Sequence, residues 1–77
     1  MQIGKAHGRV EILLESYLRE HGISKNQASR SANMTRTRLN AYCKNAVQRV
    51  DLDVLSRLCD VLNCEVGELL RYVPKES

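Results

Sequence analysis

Gly22, Asn33, Asn45 and Asn63 interrupt a leucine-rich chain, and each is followed closely by a residue suited to starting a helix. Glycine, and next best asparagine, tolerates the left-handed backbone conformation in which helices commonly end. The followers are Ser24, Thr35, Asp51 and Glu65. Ser, Thr and Asp side chains accept hydrogen bonds from the exposed amides of a helix's first turn, whereas Glu65 is a poorer cap. Four stop–start pairs cut the chain into five helices joined by short connections, an all-α reading.

Apolar spacing agrees with these cuts. The first helix is expected over residues 13–21, with Leu14, Tyr17 and Leu18 on one stripe. The second covers residues 25–32, begins with a Ser24/Gln27 capping box and turns Ala28 and Ala32 inward. The third covers residues 35–44, with Leu39, Tyr42 and Cys43 inward. The fourth starts at Asp51, where Val50 and Leu55 are placed as a hydrophobic staple. Its stripe of Leu52, Leu55, Cys59 and Leu62, widened by Val54, Leu58 and Val61, makes it central. The fifth covers residues 66–70. Val10 and Ile12 alternate with Arg9 and Glu11 in a strand pattern, for which Arg71-Tyr72-Val73 offers an antiparallel partner. Residues 1–8 contain two glycines and no periodicity, and are expected to form a flexible arm. The domain is expected over residues 9–74, with a short tail at 75–77.

Size and charge narrow the function. A chain of 77 residues makes one domain. At this size only about 60% of the unfolded surface is buried, which leaves no room for a deep catalytic cleft beside the core. No Ser/His/Asp or paired-carboxylate constellation stands out, so an enzyme is not expected. The three cysteines, Cys43, Cys59 and Cys64, do not make a disulfide framework, and neither His7 nor His21 completes a zinc-site spacing. Cys59 and Cys64 read as small buried apolar residues. No metal, cofactor or small-molecule ligand is expected. No apolar run approaches the ~18 residues of a membrane span, and no apolar segment follows Lys5 and Arg9 as in a signal peptide. A cytoplasmic location is the expectation. The formal net charge of +3 conceals an asymmetry. Between His21 and Val50 lie Lys25, Arg30, Arg36, Arg38, Lys44 and Arg49, without a single carboxylate. All nine acids lie outside that stretch. Such a basic segment suits a polyanion.

Two short helices with left-handed-competent Asn33 between them form a helix-turn-helix pattern, whose second helix enters the DNA major groove. A groove ~12 Å wide admits one helix that is polar outside and anchored inside. Leu39 and Tyr42 can anchor; Arg36, Thr37, Arg38 and Asn40 can read; Ser29 is small enough for a close helix crossing.

Over about residues 10–73 the chain resembles the phage repressor and Cro type of helix-turn-helix domain, the Xre family. The resemblance rests on "GISKNQASRSANMTRTRLNAY" and on "VDLDVLSRLCDVLNCEVGELL". It departs from the family at Lys25 (usually Gln), Ala28 (usually Leu), Ser29 (usually Ala), and Asn33 and Asn63 (often Gly). The resemblance implies a compact five-helix domain that binds double-stranded DNA sequence-specifically as a transcriptional regulator. It implies groove contacts from Arg36, Thr37 and Asn40, with Arg38 and Ala41 beside them. It implies phosphate contacts from Lys25, Asn26, Thr35, Lys44 and Arg49. Thr35 serves equally as a cap, and Arg38 as a phosphate ligand. Arg30 is a further phosphate candidate, or a partner for Glu20, or solvated. Two other functions fit the same fold: the DNA-binding antitoxin of a toxin pair, and a helical protein-interaction module. The reading helix alone spans few base pairs, so a homodimer on an inverted repeat is expected. Leu69, Leu70, Tyr72 and Val73 are its interface candidates, unless they cap the monomer core against Val10 and Leu14.

Overall fold

Among the described residues, four outside any strand or regular helix take positive φ: Gly22 (65°), Asn33 (54°), Asn45 (58°) and Asn63 (53°). They are the four stops read from the sequence. This computed structural model describes residues 7–75. Strand β1 (Arg9–Ile12) leads to α1 (Leu14–Glu20), α2 (Lys25–Ser31), α3 (Arg36–Cys43) and α4 (Leu52–Leu62). A single 3-10 turn (Val66–Glu68) and strand β2 (Leu70–Val73) follow. Three helix starts are made by side chains. Ser24 Oγ accepts from the Gln27 N–H at 3.1 Å, Thr35 Oγ1 from the Arg38 N–H at 3.1 Å, and Asp51 Oδ1 from the Asp53 N–H at 2.9 Å.

Among the described residues there are four α-helices rather than five. The expected fifth is one 3-10 turn, held where the Glu65 N–H donates to Glu68 Oε2 at 2.9 Å. The reason is local. Gly67 disfavours a helix interior, and the chain must open at once so that Leu69 enters the core and Leu70 begins a strand. The Leu69 carbonyl accepts from the Leu13 N–H at 2.7 Å, which stitches this end to the start of α1. Strands β1 and β2 pair antiparallel, Arg9 opposite Val73 and Ile12 opposite Leu70.

The core gathers Leu14, Leu18, Ala28, Ala32, Leu39, Tyr42, Val54, Leu58 and Leu69. The inner stripe of α4 runs through Val54, Leu55, Leu58 and Leu62. Leu52 sits roughly 100° round the helix from the middle of that stripe and is 76% exposed, contrary to its expected inward place. Cys43 is buried, whereas Cys59 and Cys64 are only partly covered.

Of the arm expected at 1–8, only His7 and Gly8 are among the described residues; the rest lies outside them, as do residues 76 and 77 of the expected tail. Gly8 is packed: a Cβ there would collide with the Val73 carbonyl and the Tyr72 ring.

Asn45 has two roles. Its backbone makes the left-handed turn after α3, and its side chain clasps the outer edge of β1. Its Oδ1 accepts from the Ile12 N–H at 2.6 Å, and its Nδ2 donates to the Ile12 carbonyl at 3.0 Å. Asn45→Gly keeps the turn and loses the clasp, leaving two backbone groups unpaired; a loss of ~1–3 kcal/mol is expected. Asn45→Ala loses the clasp and also carries the left-handed strain of a non-glycine residue, a further ~1–2 kcal/mol. Denaturant unfolding of both variants checks that order, and equal losses would assign the whole effect to one of the two roles.

Candidate nucleic-acid interface

Helix α3 is held by Leu39 (0% exposed), Tyr42 (2%) and Cys43 (5%). At 3.6 residues per turn the opposite face is centred on Thr37, Ala41 and Lys44. Arg36 and Asn40 form the shoulder toward α2, and Arg38 the shoulder toward α4. Arg36, Thr37, Arg38 and Lys44 are exposed, and Asn40 and Ala41 are partly covered. All five expected base-reading residues therefore lie on or beside one accessible surface.

The neighbours divide the cations. Arg36 Nη1 donates to Asn26 Oδ1 on α2, so Asn26 positions the guanidinium at the mouth of the helix pair. Arg38 Nη2 lies 3.3 Å from Asp51 Oδ2. Lys25 Nζ lies 3.0 Å from Glu15 Oε1 on α1. Lys25 and Arg38 thus have carboxylate partners, although the basic segment contains none of its own. Among the described residues no carboxylate lies within ion-pair distance of Arg30, Arg36, Lys44 or Arg49. The pairing of Arg30 with Glu20 does not occur. Ser29 is buried, and its Oγ donates to the Asn26 carbonyl at 3.0 Å, which removes a polar group from the helix crossing.

Two positioning contacts were not read from the sequence, one made by Arg57 and one by the hydroxyl of the expected anchor Tyr42. Arg57 on α4 donates from Nη1 to the Ala32 carbonyl at 3.0 Å and to the Asn33 carbonyl at 2.9 Å. These are carbonyls at the end of α2 and at the turn, so the guanidinium fixes the bend. Its Nε faces Asp53 Oδ2 across 3.2 Å without hydrogen-bond geometry. Tyr42 is the second: its hydroxyl accepts from the Asp51 N–H at 3.2 Å, tying the buried side of α3 to the start of α4. Neither partner could be inferred from local spacing, since each contact spans a turn or an intervening helix.

Of the four dimer candidates, Leu69 is 1% exposed and fills the monomer core, so it is removed from the list. Leu70 and Val73 are partly covered. Tyr72 is 61% exposed and stands opposite Val10, also 61% exposed, in the sheet register. Among the described residues no cluster of three His, Cys, Asp or Glu side chains could hold a metal ion. No helix there is long and apolar enough to cross a membrane.

Comparison with known proteins agrees with this geometry. A family model described as the Cro/C1-type HTH DNA-binding domain matches residues 14–75. The crystal structure of the transcriptional regulator VanUg (Form II) is similar with a TM-score of 0.72 and 22% identity, over 97% of this chain and 99% of that one. At that identity the likeness is one of fold. No curated protein matches the sequence.

Charge where α1 meets α2 and where α3 meets α4 has a consequence in acid. The Asp53 N–H, foremost, and then other donors including Arg38, hold the Asp51 carboxyl below its ordinary range. The Lys25 ammonium does the same to Glu15. A group whose folded pKa is depressed stabilises the fold above its unfolded value and loses that contribution as pH falls through the folded one. Thermal stability should therefore drop as pH falls below ~4, the ordinary carboxylate range. Asp51→Asn keeps a capping oxygen but no charge. It should melt lower than wild type near neutral pH and converge with it in acid; melting curves at several pH values check this, and parallel curves would dismiss the Asp51 charge.

Proposed function

The chain belongs to the Cro/C1-type helix-turn-helix DNA-binding domain family, and from that premise we propose that it is a sequence-specific transcriptional regulator that lays α3 in the major groove. The observation that carries the proposal is the division of α3 itself. Its buried side is anchored by Leu39 and Tyr42, and its outer side offers Arg36, Thr37 and Asn40 with no competing carboxylate on them. Phosphate neutralisation supplies affinity, and base-edge contacts supply the choice of site.

Arg36, Thr37 and Asn40 are assigned to base edges, with Ala41 available to a thymine methyl. Arg38 is shared between Asp51 and a phosphate, a more modest role than base reading. Lys44, Arg49 and Arg30 are assigned to phosphates. Lys25 joins them only by giving up Glu15. Thr35 caps α3 and so turns its first amides outward, which suits a phosphate as well. Asn26 acts through Arg36. Selection of bound sequences from random duplex DNA tests the proposal: a defined motif is expected. Salt-sensitive binding without a motif would reduce the protein to a nonspecific binder, and no binding would favour a protein-interaction role.

Two copies would place two reading helices in successive major grooves, ~34 Å apart, on an inverted repeat. The Val10/Tyr72 face of the sheet is the surface proposed for that contact, with domain limits at about residues 9–74.

Three outcomes are expected. A bidentate arginine–guanine pair supplies ~1–3 kcal/mol of discrimination. Arg36→Ala should therefore relax preference at one base pair of the selected motif; equal weakening on every sequence would assign Arg36 to phosphate instead. Lys44→Ala should reduce the slope of log affinity against log salt by ~0.9 while preserving the motif, since each neutralised phosphate contributes about that much. An unchanged slope would take Lys44 out of the interface. Tyr72→Asp should shift sedimentation from dimer to monomer at micromolar concentration and weaken binding to the full repeat more than to a half-site. A wild-type monomer binding one-to-one would overturn the dimer.

A further inference from the structure

The C-terminal end of α4 carries two thiols that DNA binding does not use. Asn63 is left-handed, its N–H reaches the Asp60 carbonyl at 3.3 Å, and the Cys64 N–H reaches the Cys59 carbonyl at 3.0 Å. This is a Schellman ending, in which the residues joined by the longer bond also bring their side chains together. Here those residues are Cys59 and Cys64. A backbone N–H to carbonyl link sets their Cα atoms near the ~4.4–6.8 Å that a disulfide spans. Both side chains pack against the edge of the core and line one open surface hollow, together with Asp60, Glu65 and Glu68. Cys43, by contrast, is buried inside the core. Burial, then the adjacent Cys59 and Glu68, pushes the Cys64 thiol up.

We propose that Cys59 and Cys64 are a reversible dithiol–disulfide exchange site that takes small cationic disulfides ahead of anionic ones. The exchange needs no rearrangement of the fold, because the helix ending already joins the two residues. One cysteine thiolate attacks a sulfur of the incoming disulfide. Its S–S bond breaks, and one half leaves as a thiolate that takes up a proton. The second cysteine loses its proton and attacks the mixed disulfide at the protein sulfur, and the other half leaves as a thiol in the same way. Two protein thiols are oxidised to one disulfide, and one small disulfide is reduced to two thiols. The three carboxylates at the hollow favour a positive reagent and repel a negative one, an effect that salt screens.

The test uses the full chain with cystamine, which is cationic, and with oxidised glutathione, which is anionic. Remaining thiols are alkylated and the peptides analysed by mass spectrometry. The expected product is a monomer lighter by two hydrogens, with a Cys59–Cys64 link and Cys43 alone alkylated. Relative to their rates with free cysteine, cystamine should react several-fold faster than oxidised glutathione at low salt, and the ratio should fall toward one as salt rises. Cys64→Ser should stop at a mixed disulfide on Cys59. Repeating the exchange in urea separates folded geometry from mere nearness in sequence: the link should form at least several-fold more favourably in the folded chain. Persistent mixed disulfides in the wild type, a link through Cys43, a salt-independent ratio, or equal bridging in urea would each overturn the proposal.

Discussion

The bend between α2 and α3 depends on one side chain from a third helix. Arg57 donates to the Ala32 and Asn33 carbonyls, groups that the end of α2 leaves without helical partners. Asn33 can make the left-handed turn alone, but a turn held only by its own φ would leave the direction of α3 loosely set. The guanidinium supplies two hydrogen bonds from one charged nitrogen, and bonds to charged groups are stronger than neutral ones. Since α4 sends Val54, Leu55, Leu58 and Leu62 inward, α3 takes its angle from the core as well as from the turn. Tyr42 adds a second tie, through the Asp51 N–H, at the other end of the same junction.

Much of this was legible because it is local chemistry. Gly22, Asn33, Asn45 and Asn63 announce themselves by residue type, and Ser24, Thr35 and Asp51 follow at capping distance. Leu39, Tyr42 and Cys43 fall on one face by periodicity alone. Where reasoning from the sequence went astray, non-local packing decided. Leu52 fits a helical stripe on paper, yet packing turns Val54, Leu58 and Leu62 to the core and leaves Leu52 well round the helix from that face. The fifth helix fails because Leu69 and Leu70 are claimed by the core and by β1. Leu69 looked available to a partner for the same reason: the Leu13 N–H that holds its carbonyl is distant in sequence.

Charge shows the same limit more sharply. Six cations without an internal acid suggest a uniform basic surface. The fold brings Glu15 to Lys25 and Asp51 to Arg38. Exposed pairs of this kind contribute little to stability, so their main effect is on what the cations are free to do. Arg30, Arg36, Lys44 and Arg49 keep their full attraction for phosphate, whereas Lys25 and Arg38 must exchange one anion for another. The basic patch is therefore uneven, and a contact made by Arg38 or Lys25 would add less affinity than its formal charge suggests.

Asn45 links this surface to the sheet. It ends α3 and grips Ile12 through both backbone groups, while Ile12 lies two residues from Val10 and pairs with Leu70, two residues from Tyr72. A contact between copies at Val10 and Tyr72 would thus be joined to the reading helix through one side chain and one strand, with no flexible connection between. Half-site spacing on DNA is a demand on rigidity as much as on distance, since an error of a few degrees at the sheet is magnified at the groove. A clasp that satisfies both polar groups of one residue resists twisting better than a single hydrogen bond. Buried apolar contacts alone, being non-directional, would not supply that resistance. In this small domain the residue that follows α3 also grips the strand that carries Val10, so the direction of that helix and the position of the sheet are fixed by one side chain.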